Sequence, residues 1–185
     1  MKTKFKLVLF VAFGLTLFNS CTSDNDDSSS TDGNLLGTWE MVEFNYSGDT
    51  TTEFQGQSFS TDYVGMGSNF DNTILVITEN PNEMAFSGSY DINLDFTFQG
   101  QTQSQTSSIE DAQSVSTWSR SGNTLTIEGE IVSVEGTELD EVGSQEYTIQ
   151  ELTDTTLILV SSITQVVSEQ GVDSMQCKVV SICLK

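Results

Sequence analysis

Large apolar and polar residues alternate strictly from residue 90 to residue 99 (YDINLDFTFQ), which is the clearest pattern in the chain. A period of two places successive side chains on opposite faces of a β-strand, so one face is buried and the other is wet. Other β-branched or apolar segments of strand length are residues 73–78, 123–127, 146–150, 155–160 and 175–184. No helical period extends beyond one candidate turn at residues 108–111. The pattern predicts an all-β domain.

Turn-forming residues separate these segments. Residues 80–82 (NPN) and 121–123 (SGN) are typical of tight turns between antiparallel strands, because Gly and Asn tolerate positive φ. Residues 99–108 and 135–144 are polar and are predicted to be long loops. Short strands joined in this way favour a sandwich or a barrel.

The first predicted strand changes its buried face partway along. Trp39 and Met41 have one parity, whereas Val42, Phe44 and Tyr46 have the other. A β-bulge or a sharp bend near residue 42 produces such a switch, and bends of this kind help a sheet to close on itself.

The first 20 residues have the pattern of an export signal. Lys2, Lys4 and Lys6 precede an apolar run at residues 7–18, as in secretory signal peptides. The run is shorter than the roughly 20 residues of a membrane-spanning helix. We therefore interpret residues 1–20 as a signal peptide that is removed.

Residues 17–21 (LFNSC) resemble a bacterial lipobox, in which the cysteine after a small residue is acylated. Residues 21–33 are rich in Asp and Ser, which is typical of a solvated tether, and they resemble the export tag of Bacteroidetes-type surface lipoproteins. The resemblance implies a lipid anchor on Cys21 in the outer membrane, at the cell surface or on the periplasmic face. Plain secretion is the alternative.

The charge balance excludes one class of partner. The chain has 27 acidic and 6 basic residues, giving a net charge of −21, and removal of residues 1–20 leaves three basic residues. Because this surface repels phosphate backbones, nucleic-acid binding is excluded.

Few residues offer catalytic or metal chemistry. The chain has no histidine, and no nucleotide-binding motif is present. Asp91 and Asp95 share the side of one strand that is opposite its aromatic residues, whereas a glycosidase needs two carboxylates across a cleft. The acidic clusters at residues 24–27 and 138–141 are interpreted as solvated loops rather than calcium sites. We expect no enzyme activity, no metal and no cofactor.

Cys177 and Cys183 are the two cysteines after Cys21. Six residues of continuous strand separate their Cα atoms by roughly 20 Å, beyond the reach of a disulfide. We interpret them as small core residues, with a disulfide as the alternative in an oxidising compartment.

Three stretches carry a resemblance to a family. Residues 36–39 (LGTW) resemble the Gly-x-Trp opening of lipocalins, and residues 117–127 and 147–159 resemble the lipocalin-like domain of Bacteroidetes-type lipoproteins. The resemblance implies an up-and-down antiparallel barrel of about eight strands over residues 34–185. It also implies that Trp39 closes the barrel floor under a basic side chain, for which Lys178 or Lys185 would replace the usual arginine.

The predicted interior is both a core and a candidate binding site, since a barrel of eight strands is either just filled by side chains or able to hold one small ligand. The residues that we place inside are Trp39, Tyr90, Ile92, Leu94, Phe96, Phe98, Leu125, Ile127, Tyr147, Ile149, Leu157 and Leu159. The expected function is non-catalytic binding of a small, partly apolar ligand. The alternative is a surface module that binds protein or glycan through loops 99–108 and 135–144, with a solid barrel as scaffold.

Overall fold

The computed structural model describes residues 30–54, 56–129, 131, 144–169 and 172–185, and the side chains of 54, 163–169 and 172–179 are outside this description. The strands are β1 (Gly37–Phe54), β2 (Gln57–Thr78), β3 (Glu83–Phe98), β4 (Gln101–Ser121), β5 (Thr124–Glu128), β6 (Gln145–Leu152), β7 (Leu157–Glu169) and β8 (Val172–Leu184). Each strand pairs antiparallel with the next, and β8 pairs with β1. The predicted eight-stranded up-and-down barrel is confirmed. Within the described ranges, no helix is long and apolar enough to cross a bilayer.

The predicted switch in β1 is confirmed. Trp39, Met41 and Phe44 are buried, whereas Val42 is 41% exposed. The register of β1 against β8 shifts between Met41 and Glu43. One extra residue at this bulge lets both halves of β1 turn apolar side chains inward.

The turns at residues 80–82 and 121–123 are also confirmed, but the predicted loop at 99–108 is wrong. Only Gln99 and Gly100 form a turn, both with positive φ, and β4 begins at Gln101. The candidate helical turn at residues 108–111 likewise belongs to β4. Residues 101–106 are exposed, so this part of the strand has no apolar face that would reveal it by alternation.

Several predicted features lie outside the described residues. They are the signal peptide, Cys21, the tether up to residue 29, residues 135–143 of the second predicted loop and both acidic clusters at 24–27 and 138–141.

One end of the barrel is tightly packed, and we call it the closed end. It holds the start of β1, the end of β8 and the turns that follow β2, β4 and β6. Trp39 is 5% exposed there, and its indole Nε1 donates a hydrogen bond to the carbonyl of Leu35 at 3.0 Å. Lys185 is exposed and exchanges backbone hydrogen bonds with Glu40. The backbone of Leu35 is therefore the polar partner of the Trp39 indole.

The segment before β1 is fastened across the closed end. The amide of Leu152 donates to the carbonyl of Ser30 at 2.7 Å, and the amide of Gly33 donates to the carbonyl of Leu152 at 3.1 Å. The Arg120 guanidinium donates to the carbonyl of Thr31 at 2.9 Å. These bonds hold residues 30–33 against β4 and β6.

Three neighbouring strands bend at one level of the barrel. Asn69 and Asn72 in β2 and Asp111 in β4 have positive φ, and Gly88 in β3 has a φ of 140°. A Cβ on Gly88 would lie less than 3.0 Å from the backbone of Thr73. Only glycine permits both this backbone conformation and this approach of β3 to β2.

The strands differ greatly in length, which opens the other end of the barrel. β1 to β4 have 16 to 22 residues each, whereas β5 has 5 and β6 has 8. β4 pairs with β5 only over residues 117–121. Far from the closed end, β2, β3 and β4 therefore extend beyond the level at which β5 pairs with β4. We call this end of the barrel the open end.

The interpretation of Cys183 as a small core residue without a disulfide is wrong. Cys183 is 3% exposed and forms a disulfide bond, whose partner lies outside the described side chains. The side chain of Cys177 is not described.

Candidate functional site

The structure divides the predicted interior residues into two groups. Nine of the twelve are buried in the packed part of the barrel: Trp39, Tyr90, Ile92, Leu125, Ile127, Tyr147, Ile149, Leu157 and Leu159. Leu94 is half-buried, while Phe96 and Phe98 are 38% and 42% exposed. The expectation that Phe96 and Phe98 lie in an enclosed interior is wrong, because both side chains are about two-fifths exposed. Among the described residues, β5 and β6 are too short to extend to their level.

Phe96 and Phe98 nevertheless keep the inward orientation. The register of β3 against β4 runs without a shift from Tyr90 to Phe98, so even-numbered residues stay on the face of the buried Tyr90 and Ile92. Residues directly opposite each other in paired strands share a face. On that basis Tyr63, opposite Phe96, also faces inward.

The inward apolar residues at the open end form a continuous surface on β2 and β3. We call it the open inner face, and it consists of Phe59, Tyr63, Leu94, Phe96 and Phe98. Phe59 is 37% exposed and Tyr63 is half-buried. Exposed aromatic rings on the concave side of a sheet are an unusual use of large apolar side chains.

Neutral polar residues border this face on both sides. In β4, Gln101, Gln103 and Gln105 lie opposite Phe98, Phe96 and Leu94. In β1 and β2, the inward positions hold Thr50, Thr52 and Thr61. Amides and hydroxyls donate and accept hydrogen bonds without carrying charge.

Tyr46 marks the boundary between the packed core and the open inner face. Its ring lies over Gly65, where a Cβ would come within 3.0 Å of the ring, and its centroid is 6.2 Å from that of Tyr63. Burial, with a smaller contribution from the nearby Tyr63, raises the pKa of Tyr46 from 10.0 to about 12. The lack of a side chain at residue 65 therefore lets a tyrosine ring close the top of the core.

The raised pKa of Tyr46 predicts a loss of stability in strong alkali. The unfolded tyrosine loses its proton near pH 10 and the folded one near pH 12, so its stabilising contribution is complete below pH 10 and is lost as the pH rises to 12. We expect the 295 nm phenolate absorbance of wild type minus Tyr46→Phe to titrate near pH 12 in the folded protein and near pH 10 in urea. Equal midpoints in the two conditions would contradict the burial of this hydroxyl.

A cavity of about 370 Å³ lies beside residues 108–114 of β4. It is lined by Phe86 from β3 and by residues of β4 between Ser108 and Ser114, which include the apolar Ile109 and Ala112 and the acidic Glu110. Ile109 lies opposite Tyr90, and the inner face of β4 continues from it to Gln105. Pockets for small ligands have volumes of about 300 to 1,000 Å³.

The carboxylates considered in the sequence lie on the outer face, as their parity predicts. The amide of Asn69 donates to Asp91 at 2.6 Å. Hydrogen bonds from Ser108 and from Asn69 hold the pKa of Asp91 below its ordinary value. Asp95 shares this outer face and lies opposite Val64 and Ser104. These contacts join β2, β3 and β4 on the outside of the bend.

Two of the five residues of the open inner face were not identified from the sequence. Phe59 and Tyr63 were not selected, although Phe59, Thr61 and Tyr63 alternate with the polar Ser60 and Asp62. The three glutamines were placed in the predicted binding loop at residues 99–108 and not on a strand. The signal was weak because small and polar residues occupy many inward positions there. A single aromatic every fourth residue does not distinguish a strand from a loop.

Comparison with known proteins agrees with this architecture. The family model described as the lipocalin-like domain matches residues 35–159, which is more than half of the chain. No curated protein and no solved structure gives a significant match. The matched residues run from Leu35 at the closed end to Leu159 in β7 and include all of β2 to β6. The chain therefore belongs to the family of lipocalin-like domains.

Proposed function

We propose that this protein binds a small, partly apolar molecule on the open inner face, without catalysis, and that a lipid on Cys21 anchors it in the bacterial outer membrane. The family supports the first part, since a lipocalin-like domain is a fold suited to small ligands. The export signal and the lipobox-like residues support the second. On this proposal the domain is displayed at the cell surface, with the periplasmic face as the alternative.

The observation that carries the binding proposal is the exposure of aromatic side chains on the inward side. Phe59, Phe96 and Phe98 are each about two-fifths exposed. Fully covering a phenylalanine stabilises a complex by about 1.5 to 3 kcal/mol. A flat or chain-like apolar ligand lying along β3 would cover both Phe96 and Phe98, which are two residues apart.

The double substitution Phe96→Ser/Phe98→Ser tests this site. We expect at least a tenfold loss of affinity for the uncharged fluorescent probe N-phenyl-1-naphthylamine, because about 1.4 kcal/mol of lost contact changes affinity tenfold. The free energy of unfolding should change little, since both rings are already largely in water. The assay uses the full-length chain with Cys21→Ser, which needs no detergent.

The matched control is Val64→Ser. Val64 is 47% exposed and lies in β2 next to Tyr63, but on the outer face. The substitution removes exposed apolar area but leaves the open inner face unchanged. Probe affinity should therefore stay within about twofold of that of the parent chain. Equal losses in Val64→Ser and the double variant would place the probe elsewhere on the barrel, and no probe uptake by the parent chain would contradict the binding proposal.

A further inference from the structure

From the distribution of charge across the barrel wall, we infer that the open inner face selects uncharged ligands whose polar part is a polyol or an amide, and discriminates against anionic amphiphiles such as fatty acids. This inference rests on the proposed binding function. It names the chemical class of the ligand.

The strands at the open end segregate charge completely among their described side chains. At this end, the inward positions hold only aromatic, aliphatic, glycine, threonine, serine and glutamine residues over 48–52 of β1, 57–65 of β2, 94–98 of β3 and 101–107 of β4. Outward positions of the same strands hold the acids, by alternation and register. These acids are Asp49, Glu53, Asp62, Asp91, Asp95 and Glu110.

An anionic headgroup has no described partner on this face. Moving a carboxylate out of water is strongly unfavourable unless a cation or several donors replace the water. The wall behind the open inner face carries acids, and the chain as a whole has a net charge of −21. Both raise the free energy of an anion at this site relative to a neutral ligand of the same shape.

A neutral polar group is matched by the row of glutamines. Gln101, Gln103 and Gln105 alternate along the inward side of β4 at intervals of about 7 Å and are all exposed. Each amide offers two donors and one acceptor, which suits hydroxyl or amide groups that also donate and accept. Because Gln103 lies directly opposite Phe96, an apolar body on the aromatic rings places its polar end within reach of this row.

Lys178 is a basic residue at the level of the open inner face, and its positive charge would favour binding of an anion. Its backbone pairs with Gly48 of β1 at the level of Tyr63. Its side chain is not described. The experiment therefore includes Lys178→Gln.

The test compares two ligands that share a ten-carbon chain. Displacement of N-phenyl-1-naphthylamine by 1-monodecanoylglycerol and by decanoate is measured at about pH 8, where the carboxylate is ionised, in the full-length Cys21→Ser chain. We expect monodecanoylglycerol to bind at least about tenfold more tightly than decanoate. In Lys178→Gln this preference should persist.

A pair of lysine substitutions separates local from overall charge. Gln103→Lys places a cation on the open inner face, whereas Ser104→Lys places the same charge on the outer face, opposite Asp95. We expect Gln103→Lys to strengthen decanoate binding about three- to tenfold and Ser104→Lys to change it less than about twofold.

The outcomes distinguish this inference from the binding proposal. Probe uptake with equal or tighter binding of decanoate, or an anion preference that Lys178→Gln removes, would overturn the inference and leave the binding proposal intact. Equal effects of the two lysine variants would also overturn it, because overall charge would then explain selectivity. Absence of probe uptake would reject the binding proposal, and the inference with it.

Discussion

A Cys21→Ser variant is expected to move from the membrane fraction to the soluble fraction of the producing bacterium. A lipidated Cys21 carries several acyl chains, and each methylene buried in the bilayer contributes about 0.8 kcal/mol. The oxygen of serine cannot take the sulfur-linked lipid, so the whole anchoring free energy is lost. The measurement is the distribution of the protein between washed membranes and soluble extract, together with the intact mass of the extracted protein.

The control for this change is Cys183→Ser, which also replaces a cysteine by serine but is expected to leave the protein in the membrane. A thioether to lipid occupies the sulfur of Cys21 and prevents it from joining Cys183 in a disulfide. Two results would therefore contradict the anchor: a Cys21→Ser variant that stays with the membranes, or a peptide linking Cys21 to Cys183 in a non-reducing digest.

Gly88→Ala is expected to lower the free energy of unfolding by about 3 to 5 kcal/mol, which combines a strained backbone with an overpacked contact. Gly88 has a φ of 140°, where side chains other than hydrogen are disfavoured, and an added Cβ would meet the backbone of Thr73. The backbone of a neighbouring strand cannot rotate away as a side chain can, so β2 and β3 must separate at the bend. Urea denaturation followed by tryptophan fluorescence measures the change.

Gly37→Ala is the matched control for this substitution. Gly37 has a φ of 141°, nearly the same as Gly88, but nothing lies within 4 Å of its added Cβ. Gly37→Ala therefore measures the cost of the backbone conformation alone. We expect it to lower the free energy of unfolding by about 1 to 2 kcal/mol. If the two variants were equally destabilised, close contact between β2 and β3 at the bend would not be the cause.

The strands that could be predicted from the sequence have one solvent-exposed face and one buried face. The alternation at residues 90–99 identified β3, and the parity change near residue 42 identified the bulge of β1. In both places, burial imposes a hydrophobic period on the sequence. The barrel followed from these strands, from the turns at residues 80–82 and 121–123, and from the resemblance around Trp39.

The first half of β4 was not predictable from alternation because both of its faces are exposed. Residues 101–106 (QTQSQT) have no apolar position, yet their backbone pairs with β3 from Phe98 to Asn93. The backbone partner, rather than side-chain burial, makes this segment a strand. A single sequence contains no direct signal for such pairing.

The inward orientation of the candidate site residues was predictable from the sequence, but their exposure to solvent was not. Parity placed Phe96 and Phe98 on the inward face, and the structure agrees. Their exposure depends on how far β5 and β6 extend on the other side of the barrel, and those strands have 5 and 8 residues. The lengths of β5 and β6 do not affect the alternation of apolar and polar residues in β3.

The hydrogen bonds that hold Ser30, Thr31 and Gly33 to β4 and β6 also bear on how cargo would arrive. Nine residues of chain connect Cys21 to Ser30 and reach at most about 30 Å. A lipid on Cys21, as proposed, would therefore keep the closed end of the barrel nearest the bilayer. The mouth lined by Phe59, Phe96 and Phe98 is then turned to the surrounding medium. Under the proposed anchoring and binding, the ligand would reach the open inner face from the surrounding water rather than from the bilayer.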